Sequence, residues 1–126
     1  MSPTPRQDPV TVLLVDDESL VRMFAADVLE DAGFEVIEAG NAELAIQVLE
    51  SRSDIRVLVT DIEMPGALDG IQLARYVQER WPDIRVLLTS GGKHLRSDDI
   101  ADAGPFLTKP YAPNQVIREV RQLVDG

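Results

Sequence analysis

Two kinds of segment alternate along the chain from Thr11 to its end, and this alternation is the strongest constraint on the fold. Segments of the first kind are short, apolar and rich in β-branched residues, at positions 12–15, 34–39, 57–60, 84–89 and 106–108. Segments of the second kind place apolar residues at helical spacing, as Leu20, Phe24 and Val28 do. Because parallel strands need crossover connections, the alternation predicts an α/β domain with a doubly wound parallel sheet and helices on both of its faces.

Residues at the ends of the predicted helices agree with this pattern. Gly33 suits a left-handed helix end, and the side chains of Asn41 and Asp69 suit helix caps. Pro113 suits the first turn of the last helix. The helix predicted within residues 93–102 is poorly patterned and strongly charged, so we expect it to be short or exposed. The sequence therefore predicts one domain at residues 10–126, preceded by a flexible arm at residues 1–9.

Composition excludes several classes of function. The chain has 12 lysines and arginines against 22 acidic residues, a formal net charge of −10, which argues against direct binding to nucleic acid. It has no cysteine, residues 1–9 lack the apolar stretch of a signal peptide, and no apolar run approaches the roughly 20 residues of a membrane-spanning helix. We expect a cytoplasmic domain that contacts no membrane. Its acidic residues either keep the surface solvated or, where they cluster, hold a cation.

The residues that follow the predicted strands carry the candidate chemistry. Ligands of a doubly wound sheet bind outside the carboxyl ends of its strands, so these residues should meet at one edge. They are the acidic run Asp16-Asp17-Glu18 after the first strand, Asp61 after the third, Ser90 with Gly91 and Gly92 after the fourth, and Lys109-Pro110 after the fifth. Carboxylates, a hydroxyl and an ammonium group are thus expected together.

These groups suit phosphoryl transfer to an aspartate. Clustered carboxylates repel one another unless a cation is bound, and a hard ion such as Mg²⁺, or alternatively Mn²⁺, prefers oxygen ligands. An aspartate can attack phosphorus as a nucleophile, and the transferred group then needs positive charge and hydrogen-bond donors around it. Lys109 and the Ser90 hydroxyl would supply these to a phosphoryl group on Asp61.

The sequence closely resembles the receiver domain of two-component response regulators, of the single-domain type related to chemotaxis regulators. The resemblance covers about residues 10–124. It is carried by Asp16-Asp17, by Asp61-Ile62-Glu63-Met64-Pro65 with Asp69-Gly70, by Thr89-Ser90-Gly91, and by Lys109-Pro110. It implies a flavodoxin-like fold with sheet order 2-1-3-4-5 and a cis bond before Pro110.

The resemblance also implies roles for the site residues. Asp61 would accept a phosphoryl group from a histidine kinase or a histidine phosphotransfer protein. Asp17 would bind Mg²⁺ directly, together with Asp61 and the backbone carbonyl of Glu63. Asp16 would be a nearby or water-mediated ligand.

Further roles concern switching. Ser90 matches the hydroxyl that moves on activation, whereas Thr89 is the less suited candidate. Phe106 matches the aromatic residue that swings inward, although it lacks the hydroxyl of the tyrosine often found there. The family's kinases and phosphotransfer proteins dock beside the first helix, so an apolar residue there, such as Val21 or Phe24, would lie in that contact.

We therefore expect a phosphoprotein that forms a 4-aspartylphosphate and signals by binding an unidentified downstream protein. It would not be an enzyme beyond its own phosphorylation and dephosphorylation. The stretch from Ser90 to Lys109 is shorter than usual for the family, which weakens the usual dimer face. A monomer is expected, with a weak dimer as the alternative.

Three other interpretations remain open at this stage. The chain could be a receiver fragment of a hybrid kinase or larger regulator, although its start at Met1 favours a complete protein. It could be a pseudo-receiver that binds partners without phosphorylation, although all the expected site residues are present. A Mg²⁺-dependent phosphatase of the haloacid dehalogenase type also uses an aspartate nucleophile. That class places the nucleophile after the first strand, whereas Asp61 follows the third.

Overall fold

The computed structural model describes residues 9–91 and 104–125. Its elements, in chain order, are β1 (Thr11–Val15), α1 (Ser19–Asp31), β2 (Glu35–Ala39), α2 (Ala42–Ser51), β3 (Ile55–Asp61), α3 (Gly70–Arg80), β4 (Arg85–Ser90), β5 (Phe106–Thr108) and α4 (Pro113–Asp125). Every predicted strand is present, with ends that move by two residues or fewer. The helix predicted within residues 93–102 lies outside the described residues, as does most of the N-terminal arm.

The five strands form one parallel sheet in the order β2-β1-β3-β4-β5, which confirms the predicted topology. β1 is central enough to pair on both sides: its Leu13 is aligned with Ile37 of β2 and with Leu58 of β3. The chain leaves β1 toward one edge of the sheet and later returns to build the other edge. The reversal of direction lies between β1 and β3, where the carboxyl ends of the strands open a crevice.

Alternate side chains of the buried strands supply two cores, one on each face of the sheet. Leu13 and Leu58 pack with α2 and α3, whereas their neighbours Val12 and Val57 pack with α1 and α4. Strands that are buried on both faces read as continuous apolar runs, and this explains the composition of β1, β3 and β4. No helix in the described part of the chain is long and apolar enough to cross a membrane.

The predicted helix boundaries are confirmed. The Asn41 side chain accepts a hydrogen bond from the Leu44 N–H, and Asp69 forms a capping box with Gln72. Gly33 has a φ of 101°, the left-handed conformation expected after α1. These caps fix where α2 and α3 start and therefore how the loops after β2 and β3 leave the sheet. The bond between Lys109 and Pro110 is cis, as the resemblance implied.

Candidate functional site

Four strand ends bring the predicted site residues to one edge of the sheet. Asp16 follows the last residue of β1, Asp61 ends β3, Ser90 ends β4, and Lys109 follows β5. Asp16, Asp61 and Ser90 are all buried. Because the strands are parallel, their carboxyl ends converge, and the backbone alone places these groups together.

The Lys109 ammonium group connects the acidic residues. Its Nζ lies 2.7 Å from Oδ2 of Asp16, 3.3 Å from Oδ2 of Asp61 and 3.4 Å from Oε1 of Glu18. Burial lowers the pKa of Lys109, but the hydrogen bond to Asp16 and the charges of Asp61 and Asp16 outweigh it, so the pKa lies above its ordinary value. Lys109 is therefore a fixed positive charge at physiological pH.

Asp61 is the least satisfied acidic group of the site. Its side chain is 3% exposed, and its Oδ1 is buried without a hydrogen-bond partner among the described residues. The pKa of Asp61 is raised to about 7: burial is the largest cause, the charges of Asp16 and Glu63 add to the rise, and Lys109 opposes it. A buried acceptor with no donor is costly, so this oxygen is poised to gain a partner.

A set of carboxylates suited to a cation surrounds Asp61. Within the described ranges, ligand atoms of Asp16, Glu18 and Asp61 lie within 4.8 Å of one another. Hard oxygen donors of this kind fit Mg²⁺ or Mn²⁺. The sequence predicted Asp16 and Asp61 as individual ligands and included Glu18, whose side chain is 61% exposed, only as part of the acidic run after β1. Asp17 is exposed and lies outside this group, so its role as a direct ligand stays a prediction.

Glu63 reaches the site through its side chain. Its Oε2 accepts a hydrogen bond from the Ser90 hydroxyl at 2.7 Å, and its Oε1 accepts one from the Gly91 N–H at 3.0 Å. The role as a metal ligand that the resemblance implied for the Glu63 backbone carbonyl stays a prediction. The contact joins the loop after β3 to the end of β4 and points the Ser90 hydroxyl toward Glu63.

The two other residues considered for switching occupy different environments. Thr89 is buried at the end of β4, next to Ser90. The Phe106 side chain is 38% exposed at the start of β5. An outward position is compatible with a side chain that can swing, but its inward movement stays a prediction.

Gly70 packs closely against the backbone of Asp61 and Ile62. Its N–H donates to the Ile62 carbonyl at 2.9 Å, and a β-carbon at position 70 would overlap the carbonyl oxygen of Asp61. Glycine is therefore the residue that lets α3 begin directly against the end of β3. This explains in physical terms the Asp69-Gly70 pair noted in the sequence.

An apolar surface lies beside the acidic site. Leu20, Met23 and Phe24 are exposed on α1, and Leu20 reaches 81% exposure. An open groove of about 540 Å³ runs from Leu20 and Phe24 to Pro110 and Tyr111, with Lys109 in its wall. The first turns of α1 therefore present apolar side chains toward solvent, whereas the later turns bury them under the sheet.

Comparison with known proteins supports one family. The chain is 33% identical over 122 residues to the sensor kinase CckA of Brucella abortus, covering 91% of this chain but only 12% of that kinase. It is 30% identical over 116 residues to the response regulator receiver protein CpdR of Brucella abortus, covering 90% of this chain and 95% of CpdR.

The fold comparison agrees. The crystal structure of the response regulator TrrA from Thermotoga maritima, in complex with Mg²⁺ and BeF, superimposes with a TM-score of 0.82 at 28% identity and covers 90% of this chain and 97% of TrrA. The family model of the response regulator receiver domain matches residues 12–121. With its sheet order and acidic edge, the chain belongs to the response regulator receiver domain family.

Proposed function

We propose that Asp61 is the phosphoacceptor of this receiver and that its phosphorylation switches binding to another protein. The observation that carries the proposal is Oδ1 of Asp61, which is buried at the carboxyl edge of the sheet and has no hydrogen-bond partner in the described part of the chain. Oδ2 of the same carboxylate faces Lys109 at 3.3 Å. Oδ2 is thus held by the Lys109 ammonium group, while Oδ1 remains available to attack phosphorus.

The transfer would begin from a phosphohistidine of a histidine kinase or phosphotransfer protein. Asp61 Oδ1 forms a bond to phosphorus while the phosphorus–nitrogen bond breaks, and the electron pair of that bond returns to the imidazole nitrogen. Asp61 must be ionised to act as the nucleophile. The ammonium group of Lys109 and the hydroxyl of Ser90 would then face the oxygens of the transferred group, where negative charge must be balanced.

Mg²⁺ fits the acidic residues around Asp61. Asp16, Glu18 and Asp61 offer carboxylate oxygens close enough for one ion, and Asp17 and the Glu63 carbonyl are the further ligands that the family resemblance implies. When bound, Mg²⁺ supplies positive charge against the phosphoryl oxygens. The carboxylates of the chain would hold that charge in place, and the bound cation would offset their mutual repulsion.

The phosphodonor would dock in the apolar groove beside α1. The groove contains Lys109 in its wall and Leu20 and Phe24 at its rim, so a helix that fills it would lie directly beside the acidic site. Exposed apolar side chains in one stripe are typical of a helix-binding surface. This arrangement would bring a histidine on the partner within reach of Asp61.

The output would be a change in protein binding. A phosphoryl group adds about −1.5 to −2 charges at neutral pH, and it would compete with Glu63 for the Ser90 hydroxyl. Movement of Ser90 toward Asp61 would break the 2.7 Å contact to Glu63 and release the end of β4. Phe106, which lies on the neighbouring strand, could then move inward. The unidentified target would distinguish the two forms, and the chain would act as a monomer or a weak dimer.

Intact mass spectrometry tests the proposal. The wild type is incubated with phosphoramidate and Mg²⁺, beside Asp61→Asn and the matched surface variant Asp54→Asn. A gain of one phosphoryl group is expected in the wild type and in Asp54→Asn but not in Asp61→Asn. Labelling of Asp61→Asn to the same extent would place the acceptor elsewhere. No labelling of any form, with Mg²⁺ binding verified, would favour a pseudo-receiver.

A second candidate is a receiver that passes its phosphoryl group onward within a phosphorelay. It is favoured by the match to the sensor kinase CckA, of which the chain spans only 12%. The two candidates differ in what happens after phosphorylation. Rapid loss of the label to a histidine phosphotransfer protein would favour the relay, whereas retention of the label and tighter binding to a target protein would favour a terminal switch.

A further inference from the structure

Arg22 links the acidic loop to the edge of the sheet. It lies in the first turns of α1, and its side chain is 20% exposed. Its Nη1 donates a hydrogen bond to the carbonyl oxygen of Asp16 at 2.6 Å, and its Nε donates to Oε1 of Glu38 at 3.0 Å. Glu38 belongs to β2, the one strand that brings no reactive group to the site. The guanidinium group therefore fastens the loop after β1 to a neighbouring strand.

The contacts of Asp16 show what this link adds. The Asp16 N–H donates to the Ala39 carbonyl at 3.2 Å, as part of the sheet. Its Oδ1 accepts from the Glu18 N–H at 2.9 Å, and its Oδ2 accepts from Lys109 at 2.7 Å. Among the described residues, Arg22 donates to its carbonyl oxygen. The peptide between Asp16 and Asp17 is therefore oriented by Arg22, and that peptide sets the direction in which the next two residues leave β1.

We propose that Arg22 is a positioning residue for the cation site. By holding the carbonyl of Asp16, it keeps the carboxylates of residues 16–18 aligned with Asp61, and the Mg²⁺ affinity of the site depends on that alignment. This inference rests on the proposed function, because it concerns the same cation site. Groups that orient metal ligands without touching the metal commonly affect affinity strongly.

A role through charge and a role through positioning predict opposite changes in Mg²⁺ affinity when Arg22 is replaced. If the guanidinium acted only through its charge, its removal would make the acidic edge more negative and strengthen Mg²⁺ binding. If it acts by holding the Asp16 carbonyl, its removal lets the loop rotate and weakens Mg²⁺ binding. The sign of the change therefore separates the two explanations.

Isothermal titration calorimetry with Mg²⁺ alone provides the test. Arg22→Met keeps the length of the side chain but removes its charge and its donors, and we expect about tenfold weaker binding. Arg22→Lys keeps the charge but offers one ammonium group in place of a fork, so we expect weaker binding here as well. Glu38→Gln retains an acceptor for Nε, so we expect a smaller loss.

Arg52 offers a matched control at the opposite end of the same strand. It donates to Glu35 of β2 and to Asp54, and it makes no contact with Asp16. Arg52→Met removes the same charge and a similar cross-link, so it should leave Mg²⁺ affinity unchanged. Urea unfolding of each variant establishes that the titrated protein is folded.

The outcomes separate this inference from the proposed function. Wild-type affinity, or tighter binding, in folded Arg22→Met would overturn the positioning role while leaving the cation site intact. If Arg22→Met does not fold, wild-type affinity in Arg22→Lys would overturn it instead. Equal losses in Arg22→Met and Arg52→Met would also contradict it. A wild type that binds no Mg²⁺ would remove the cation site itself.

Discussion

Replacement of Asp61 by asparagine should stabilise the fold, and the structure gives the magnitude. Asp61 is 3% exposed, and burial is the main reason that its pKa rises from 3.8 to about 7. The difference is about three pKa units, and each unit corresponds to about 1.36 kcal/mol, so ionised Asp61 destabilises the fold by on the order of 4 kcal/mol. Asparagine keeps an acceptor for Lys109 but carries no charge, so it should recover much of that amount.

The gain should depend on pH in a defined direction. Between roughly pH 4 and pH 7 the folded state keeps a proton on Asp61 that the unfolded state has lost, so the stability of the wild type falls as pH rises through this window. The asparagine variant has no such proton. The difference in unfolding free energy between variant and wild type should therefore be small near pH 4 and reach its full value above pH 7.

Urea unfolding followed by circular dichroism, with a chelator present, measures this difference across the pH window. Asp54→Asn is the control, because Arg52 lowers the pKa of that exposed carboxylate and its loss should bring no gain. Saturating Mg²⁺ should narrow the difference, since the cation would stabilise only the protein that binds it. The reasoning would be refuted if Asp61→Asn were no more stable than the wild type near pH 8. It would also be refuted if the difference in unfolding free energy between the two proteins did not change with pH.

Three further changes test other contacts of the site. Lys109→Met should slow phosphorylation by phosphoramidate by about 10²–10³-fold, because one charged donor to the phosphoryl group is lost. Mass spectrometry over time measures the rate, and an unchanged rate would contradict this role of Lys109. Gly70→Ala should lower the unfolding free energy by about 1–3 kcal/mol, because a β-carbon would overlap the Asp61 carbonyl. Urea unfolding measures this loss, and an unchanged midpoint would contradict the close approach of α3 to the end of β3. Glu63→Gln should lower the pKa of Asp61, because one nearby negative charge is removed. A ¹³C NMR titration of the Asp61 carboxyl group would detect no shift if that charge is unimportant.

Much of the fold and the core of the site could be predicted from the sequence, because both depend on the backbone. Strands buried on both faces leave continuous apolar runs, and the parallel pairing of such runs sets which ends meet. The core site residues stand at strand ends or one residue beyond them, and they are Asp16, Asp61, Ser90 and Lys109. The sheet therefore brings them to one edge independently of the loop conformations. Their proximity needed no knowledge of side-chain conformation.

The side-chain contacts that the sequence did not reveal depend on partners from distant parts of the chain. Glu18 approaches the site because Lys109 attracts its carboxylate, and Glu63 turns toward β4 because Ser90 and Gly91 offer donors there. Such side chains lie in loops, where no periodic pattern indicates their direction. Arg22 was missed for a different reason, because on the amphipathic helix α1 it resembles any solvent-facing polar residue.

These side chains share one physical consequence. The backbone buries Asp61 beside Asp16 at a cost, which appears in the raised pKa of Asp61 and in its Oδ1, which has no hydrogen-bond partner among the described residues. Lys109 offsets only part of that cost, because it approaches a single oxygen of Asp61. A cation or a phosphoryl group that engages the other oxygen would relieve the remainder. The strain at this edge is therefore what would make the resting site responsive, and a better satisfied Asp61 would be a more stable but poorer switch.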